Sequence, residues 1–187
     1  MKNEIAVPSE FLNLKGIEYF LFEEDFMERN IRCIPMIVRF KMDKAGTKLK
    51  LSEWSTFSKE ERIELAQMPC SSDDEINRYS IYLTTLVKRH TNCDAKKLET
   101  EQDPLWADTN SIPQVLREKL NEFGWKLSIP KWGRLTNLQR FALLKLCRPN
   151  HENRNFPKAV KEFSHLDSGI KISRNLPYLN SRSKTFS

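Results

Sequence analysis

What this sequence lacks narrows it first. Its 187 residues include only five glycines, and no GxSxG, phosphate-loop, dinucleotide-type GxGxxG or HExxH pattern occurs. Long apolar runs are also missing. The best, Ser80 to Val87, is short and broken by hydroxyls, whereas a membrane span needs about 20 apolar residues. The opening stretch, MKNEIAVPSEF, has an early glutamate and no apolar segment of the kind an export signal carries. A cytoplasmic protein with no membrane partner is the expectation.

Metal and catalytic groupings are scarce as well. Cys33, Cys70, Cys93 and Cys147 are widely spaced and form no CxxC pair, so they read as free, mostly buried thiols in a reducing compartment. A metal site can be drawn from Cys70, His90, Cys93 and His151, but HxxC spacing alone supports it poorly and packing is the reading we favour. His90, His151 and His165 stand in no triad spacing with a serine or cysteine. The paired acids Asp73/Asp74 and Glu60/Glu61 fall at predicted helix starts, where the helix dipole explains them. We therefore assign no catalytic residue, no metal and no cofactor.

Acid is thin at one end. From Trp125 onward the chain has 13 lysines and arginines against 3 aspartates and glutamates, while the whole carries +6. A basic third can meet an acidic protein or a polyanion, although a solvated face and tail is the plainer account. Nucleic acid is not favoured, because no RNP-type or zinc-finger motif appears and acids interleave the bases over the first two-thirds.

What is present is a repeat. Shifted by 78 positions, Ile34 to Ala66 lies on Ile112 to Leu144 without a gap. Ten residues coincide, among them Pro35/Pro113, Arg39/Arg117, Lys41/Lys119, Gly46/Gly124, Trp54/Trp132 and Arg62/Arg140. Ordinary composition would give about two. In each unit an apolar stripe follows a proline: Ile34, Ile37, Val38, Met42 and Ala45, then Ile112, Val115, Leu116, Leu120 and Phe123. The spacing predicts a helix with proline in its first turn and Gly46 or Gly124 in the left-handed position after its last. A connector holding Trp54 or Trp132 follows, and both rings read as core anchors. Ser58 with Glu61, and Thr136 with Gln139, then form capping boxes at the start of another helix. The second-unit copy, around Phe141 to Leu144, is apolar over much of its circumference and belongs near the centre.

Elsewhere Ser71 or Ser72 caps a helix whose inner face holds Ile76, Tyr79, Leu83, Leu86, Val87 and His90. Thr91 to Ser111 is a polar connection, and Asn155 opens a last helix with Ala159, Val160, Phe163 and Leu166 inside. Tyr19, Phe20, Phe22 and Phe26 read as an entry segment packed on the core. The fold class is all-α: one compact, bundle-like domain over 19–167, built from two helical repeats, about 32–90 and 110–166, related by a pseudo-two-fold. An arm over 1–18 precedes it, and a basic flexible tail over 168–187 follows.

Two groupings are candidate interaction sites. If the pseudo-two-fold joins the repeats, Arg39, Arg62, Arg117 and Arg140 can bracket an oxyanion or an acidic segment; the alternative, which we favour, is that each orders its own helices through local partners. The string His151-Glu152-Asn153-Arg154-Asn155 is dense in hydrogen-bonding groups on a loop, or else an ordinary turn ending in a cap.

The runs FLFEEDF, RCIPMIVRFKMDKAGTKLKLSEW, ERIELAQMPC and WGRLTNLQRFALLKLCRPNHENRNFPKAVKEF resemble the nitrate reductase associated protein family, from about Tyr19 to Phe163. The resemblance marks no catalytic residue. It implies a non-enzymatic accessory role in nitrate assimilation, supporting or maturing the reductase, with nitrate reductase or a molybdenum-cofactor protein as partner. The competing expectation is a nucleic-acid-binding or regulatory protein that uses the basic C-terminal third.

Overall fold

A computed structural model describes residues 16–23, 33–148 and 154–165. Eight α-helices dominate them: α1 (Met36–Lys44), α2 (Leu51–Trp54), α3 (Lys59–Gln67), α4 (Asp73–Thr91), α5 (Gln114–Glu122), α6 (Ile129–Arg134), α7 (Asn137–Leu146) and α8 (Phe156–His165). A 3-10 turn, Leu21–Glu23, comes first. The fold is predominantly α, with one departure from a purely helical chain: β1 (Thr47–Lys48) pairs antiparallel with β2 (Lys96–Lys97). Two residues per strand leave no alternating pattern long enough to read in a sequence.

The helix boundaries follow local chemistry. Ser58 and Thr136 cap α3 and α7, with Glu61 and Gln139 closing the boxes. Ser72 and Glu75 do the same for α4, with Asp73 and Asp74 beside its positive end. Gly46 and Gly124 adopt φ of 58° and 68° after α1 and α5, the left-handed turn that glycine enters without steric cost. Pro35 and Pro113 stand one place earlier than expected, as extended residues just before α1 and α5 rather than within the first turn. The tryptophan connectors also hold helix, the single turns α2 and α6.

The core forms two clusters. One gathers Val38, Trp54, Leu65, Tyr79, Leu83, Leu86 and Val87 around α4. The other gathers Phe20, Phe22, Leu116, Trp132, Phe141, Leu146, Phe156 and Phe163 around α7 and α8. As expected, α7 is central: seven of its residues are buried, including Phe141, Ala142 and Leu143. Trp54 and Trp132 are almost wholly enclosed. Val115 departs from its stripe and is 41% exposed, and His90 sits on the rim of α4 rather than in its inner face. Cys70 and Cys147 are buried, Cys33 half-buried and Cys93 exposed. Among the described residues no helix is long and apolar enough to cross a membrane.

Candidate functional site

The two units meet where α1 packs on α7, and Lys145 Nζ of α7 lies 2.6 Å from Asp43 Oδ2 of α1. An N-terminal clasp and a trough lie at this seam, and each unit carries a buried arginine.

The clasp begins with a missing cap. Pro35 has no side-chain acceptor for the first N–H groups of α1. Glu23 supplies one from 13 residues upstream, its Oε1 accepting from Met36 N at 2.6 Å. Only 4% of Glu23 is exposed, and its second oxygen finds no hydrogen-bond partner among the described residues. Burial pushes its pKa up to about 7, against the opposing pull of the Met36 and Phe20 backbone and of Arg39. The segment is held from the other side by α8. Glu162 accepts from Leu21 N at 2.8 Å and Phe22 N at 3.0 Å, and Asn155 donates to Phe22 O. Phe20, Phe22 and Phe163 stack and meet edge-on at 4.9–6.1 Å between centroids. Asn155 is thus a strut for the clasp.

The four arginines divide. Arg62 and Arg140 are both buried, and each turns back on carbonyls of its own unit. Arg62 Nη1 donates to Phe57 O at 2.9 Å, and Arg140 Nη1 donates to Leu135 O, the position 78 residues on. Arg140 also reaches Trp106 O and Asn137 Oδ1. Both guanidiniums donate to backbone carbonyls, and Arg140 reaches beyond its own unit to the 91–111 connection. Arg39 lies half-buried at the end of the trough, with Nε on Ile34 O at 2.8 Å. Arg117 is exposed and bonds Gln114 in its own helix. Arg154 is exposed, while His151, Glu152 and Asn153 lie outside the described residues. Of the groups drawn as a metal site, His90 Nε2 sits 2.9 Å from Glu61 Oε2 and Cys70 Sγ faces the Lys41 carbonyl. No cluster of metal-ligating side chains occurs among the described residues.

The trough is two adjoining cavities of about 450 and 550 Å³ that share Asp43, Leu98, Lys145 and Arg148 as walls. The first is bounded by Arg39, Lys48, Met42 and Leu49; the second by Asp73, Glu99, Glu101 and Trp106. It exists because the connection after β2 folds back over α1: Leu98 N donates to Gly46 O at 2.9 Å. Sequence reasoning missed the trough and the roles of Glu23 and Glu162. Each depends on partners far apart in the chain, and only the FLFE run hinted at the clasp.

The architecture is a small helical scaffold in which buried Glu23, Arg62 and Arg140 bond backbone groups and a concavity lies at the seam. A sequence model of the conserved nitrate reductase-associated protein family matches residues 19–163. The chain belongs to that family. No curated protein and no solved structure matches it.

Proposed function

We propose that the chain is a non-enzymatic accessory protein that supports the activity or maturation of nitrate reductase by binding a protein, either the reductase itself or a molybdenum-cofactor protein. The observation that carries this reading is the family match, which spans the clasp, both units and α8. The groups a catalyst would use are committed otherwise: the buried arginines hold carbonyls and His90 holds Glu61. On this reading Arg39, Arg117 and Arg154, with His151, Glu152 and Asn153, contribute contacts to the partner, and the protein works in the cytoplasm. Deleting the gene in a host with an assimilatory nitrate reductase should lower reductase activity; unchanged activity would sink the reading. Co-purification at low salt should recover the reductase or a molybdenum-cofactor protein with nuclease and without it.

We further infer that the two units arose by duplication and relate by an approximate two-fold axis. The helix starts support this: α1, α2 and α3 begin 78 positions before α5, α6 and α7. A best superposition of 34–66 on 112–144 by a rotation far from a half-turn would remove the axis.

A further inference from the structure

The trough has two chemically different ends. Arg39 and Lys48 stand at one, Asp73, Glu99 and Glu101 with Lys44 at the other, and the Asp43–Lys145 pair and Arg148 line both. Apolar surface runs along it: Leu98 is 37% exposed and Trp106 is half-buried. The combined space exceeds what a single side chain fills and falls within the size of ligand-binding clefts, ~300–1,000 Å³.

Charge decides among occupants. The walls carry four carboxylates, Asp43, Asp73, Glu99 and Glu101, and five bases, Arg39, Lys44, Lys48, Lys145 and Arg148, so a phosphate backbone laid along the trough would meet carboxylates over its acidic half. A nucleic acid strand is therefore poorly matched along the whole length. An extended polypeptide of mixed charge is matched along the whole length, by salt-bridging groups at both ends and an apolar patch between them.

We propose that the trough holds an extended segment of a partner protein, with an acidic side chain at Arg39 and Lys48, an apolar side chain on Leu98 and a basic side chain at Glu99 and Glu101. This rests on the reading that the chain works by binding a protein, and names the chemistry of what it binds.

The test uses the full chain and a displayed library of random peptides. Selected peptides should combine an acid and a base flanking an apolar residue. Lys48→Glu and Glu101→Lys, both at exposed positions, should each weaken those peptides about tenfold, since reversal turns attraction into repulsion. Circular dichroism of each variant should match the parent. No enrichment, enrichment of purely acidic peptides, or binding indifferent to both reversals would overturn the proposal. So would a change in oligomeric mass on reversal, which would give the trough to a second copy, or loss of nucleic-acid retention. Recovering the reductase equally with the parent and with both variants would sink the trough as partner site and leave the accessory reading standing. Peptide selection without any recovered reductase would do the reverse.

Discussion

Two lysines 78 positions apart in the sequence, Lys41 and Lys119, do different work. Lys41 of α1 is buried, and its ammonium donates to Ala66 O and to Met68 O, the latter at 2.7 Å, closing the end of α3. Burial lowers its pKa to about 8. Lys119, 78 positions on, stays near the surface and pairs with Glu122 at 2.6 Å. The difference follows from how the third helix of each unit ends. α3 stops at Gln67 with Pro69 behind it, leaving carbonyls that need a donor. α7 runs to Leu146 and its last turn is closed by Cys147 N on Leu143 and Leu144 carbonyls. The comparison teaches that lysines 78 positions apart in the sequence take different roles when the neighbouring helices end differently.

Replacing the buried arginines tests this comparison most severely. Arg140→Ala should cost about 4 kcal/mol in urea unfolding, because the Trp106, Leu135 and Asn137 acceptors lose one donor. A loss below about 1 kcal/mol would deny Arg140 that role, and Arg62→Ala beside it shows whether the position 78 residues earlier carries the same load.

Glu23 gives α1 a titratable support for which the Pro113 end of α5 shows no counterpart among the described residues. Its folded pKa of about 7 stands above the ordinary 4.5, so the folded state binds the extra proton between these values. Stability from this group is full below about pH 4.5 and is lost as pH rises through about 7, by about 3 kcal/mol at most. Glu23→Gln should flatten that fall in unfolding midpoints measured across the range. A slope that survives the substitution would assign the effect elsewhere.

The glycines sharpen the contrast. A Cβ at Gly46 would meet Thr100 Cγ2 at 3.0 Å and Leu98 O at 3.1 Å, whereas one at Gly124 meets nothing within 4 Å. Gly46→Ala should cost about 3 kcal/mol and Gly124→Ala about 1, the latter from backbone conformation alone. Smallest is the lysine pair itself: Lys41→Met should cost about 1–2 kcal/mol and Lys119→Met less than about 0.5. Thermal unfolding of the two variants side by side would show it.

Much of this was legible locally. Ser58 and Thr136 announced their helices because a cap and its box are four adjacent residues. Gly46 and Gly124 announced turns because few residues tolerate positive φ. The α4 stripe and the central place of α7 followed from which faces are apolar. The candidate site was another matter. Glu23 sits in an acidic run whose other members give no hint that one carboxylate is buried. Nothing in the pattern separates Lys41 from Lys119. Arg62 and Arg140 were singled out from the repeat, but whether they face outward or grip carbonyls depends on packing. The trough needed Leu98 folded over Gly46, a contact between segments 52 residues apart in number and unrelated in pattern.

The clasp also sets a timetable. Glu162, which receives Leu21 and Phe22, is made 140 residues after them. At about 5–20 residues per second of synthesis, on the order of 10 s passes before it can engage. During that interval Phe20 and Phe22 lack the α8 surface on which they finally rest, so the nascent chain trails a sticky leading end. A chaperone that grips short aromatic stretches has its best opportunity then, and a ribosome stalled before α8 would hold the protein in that unfinished form.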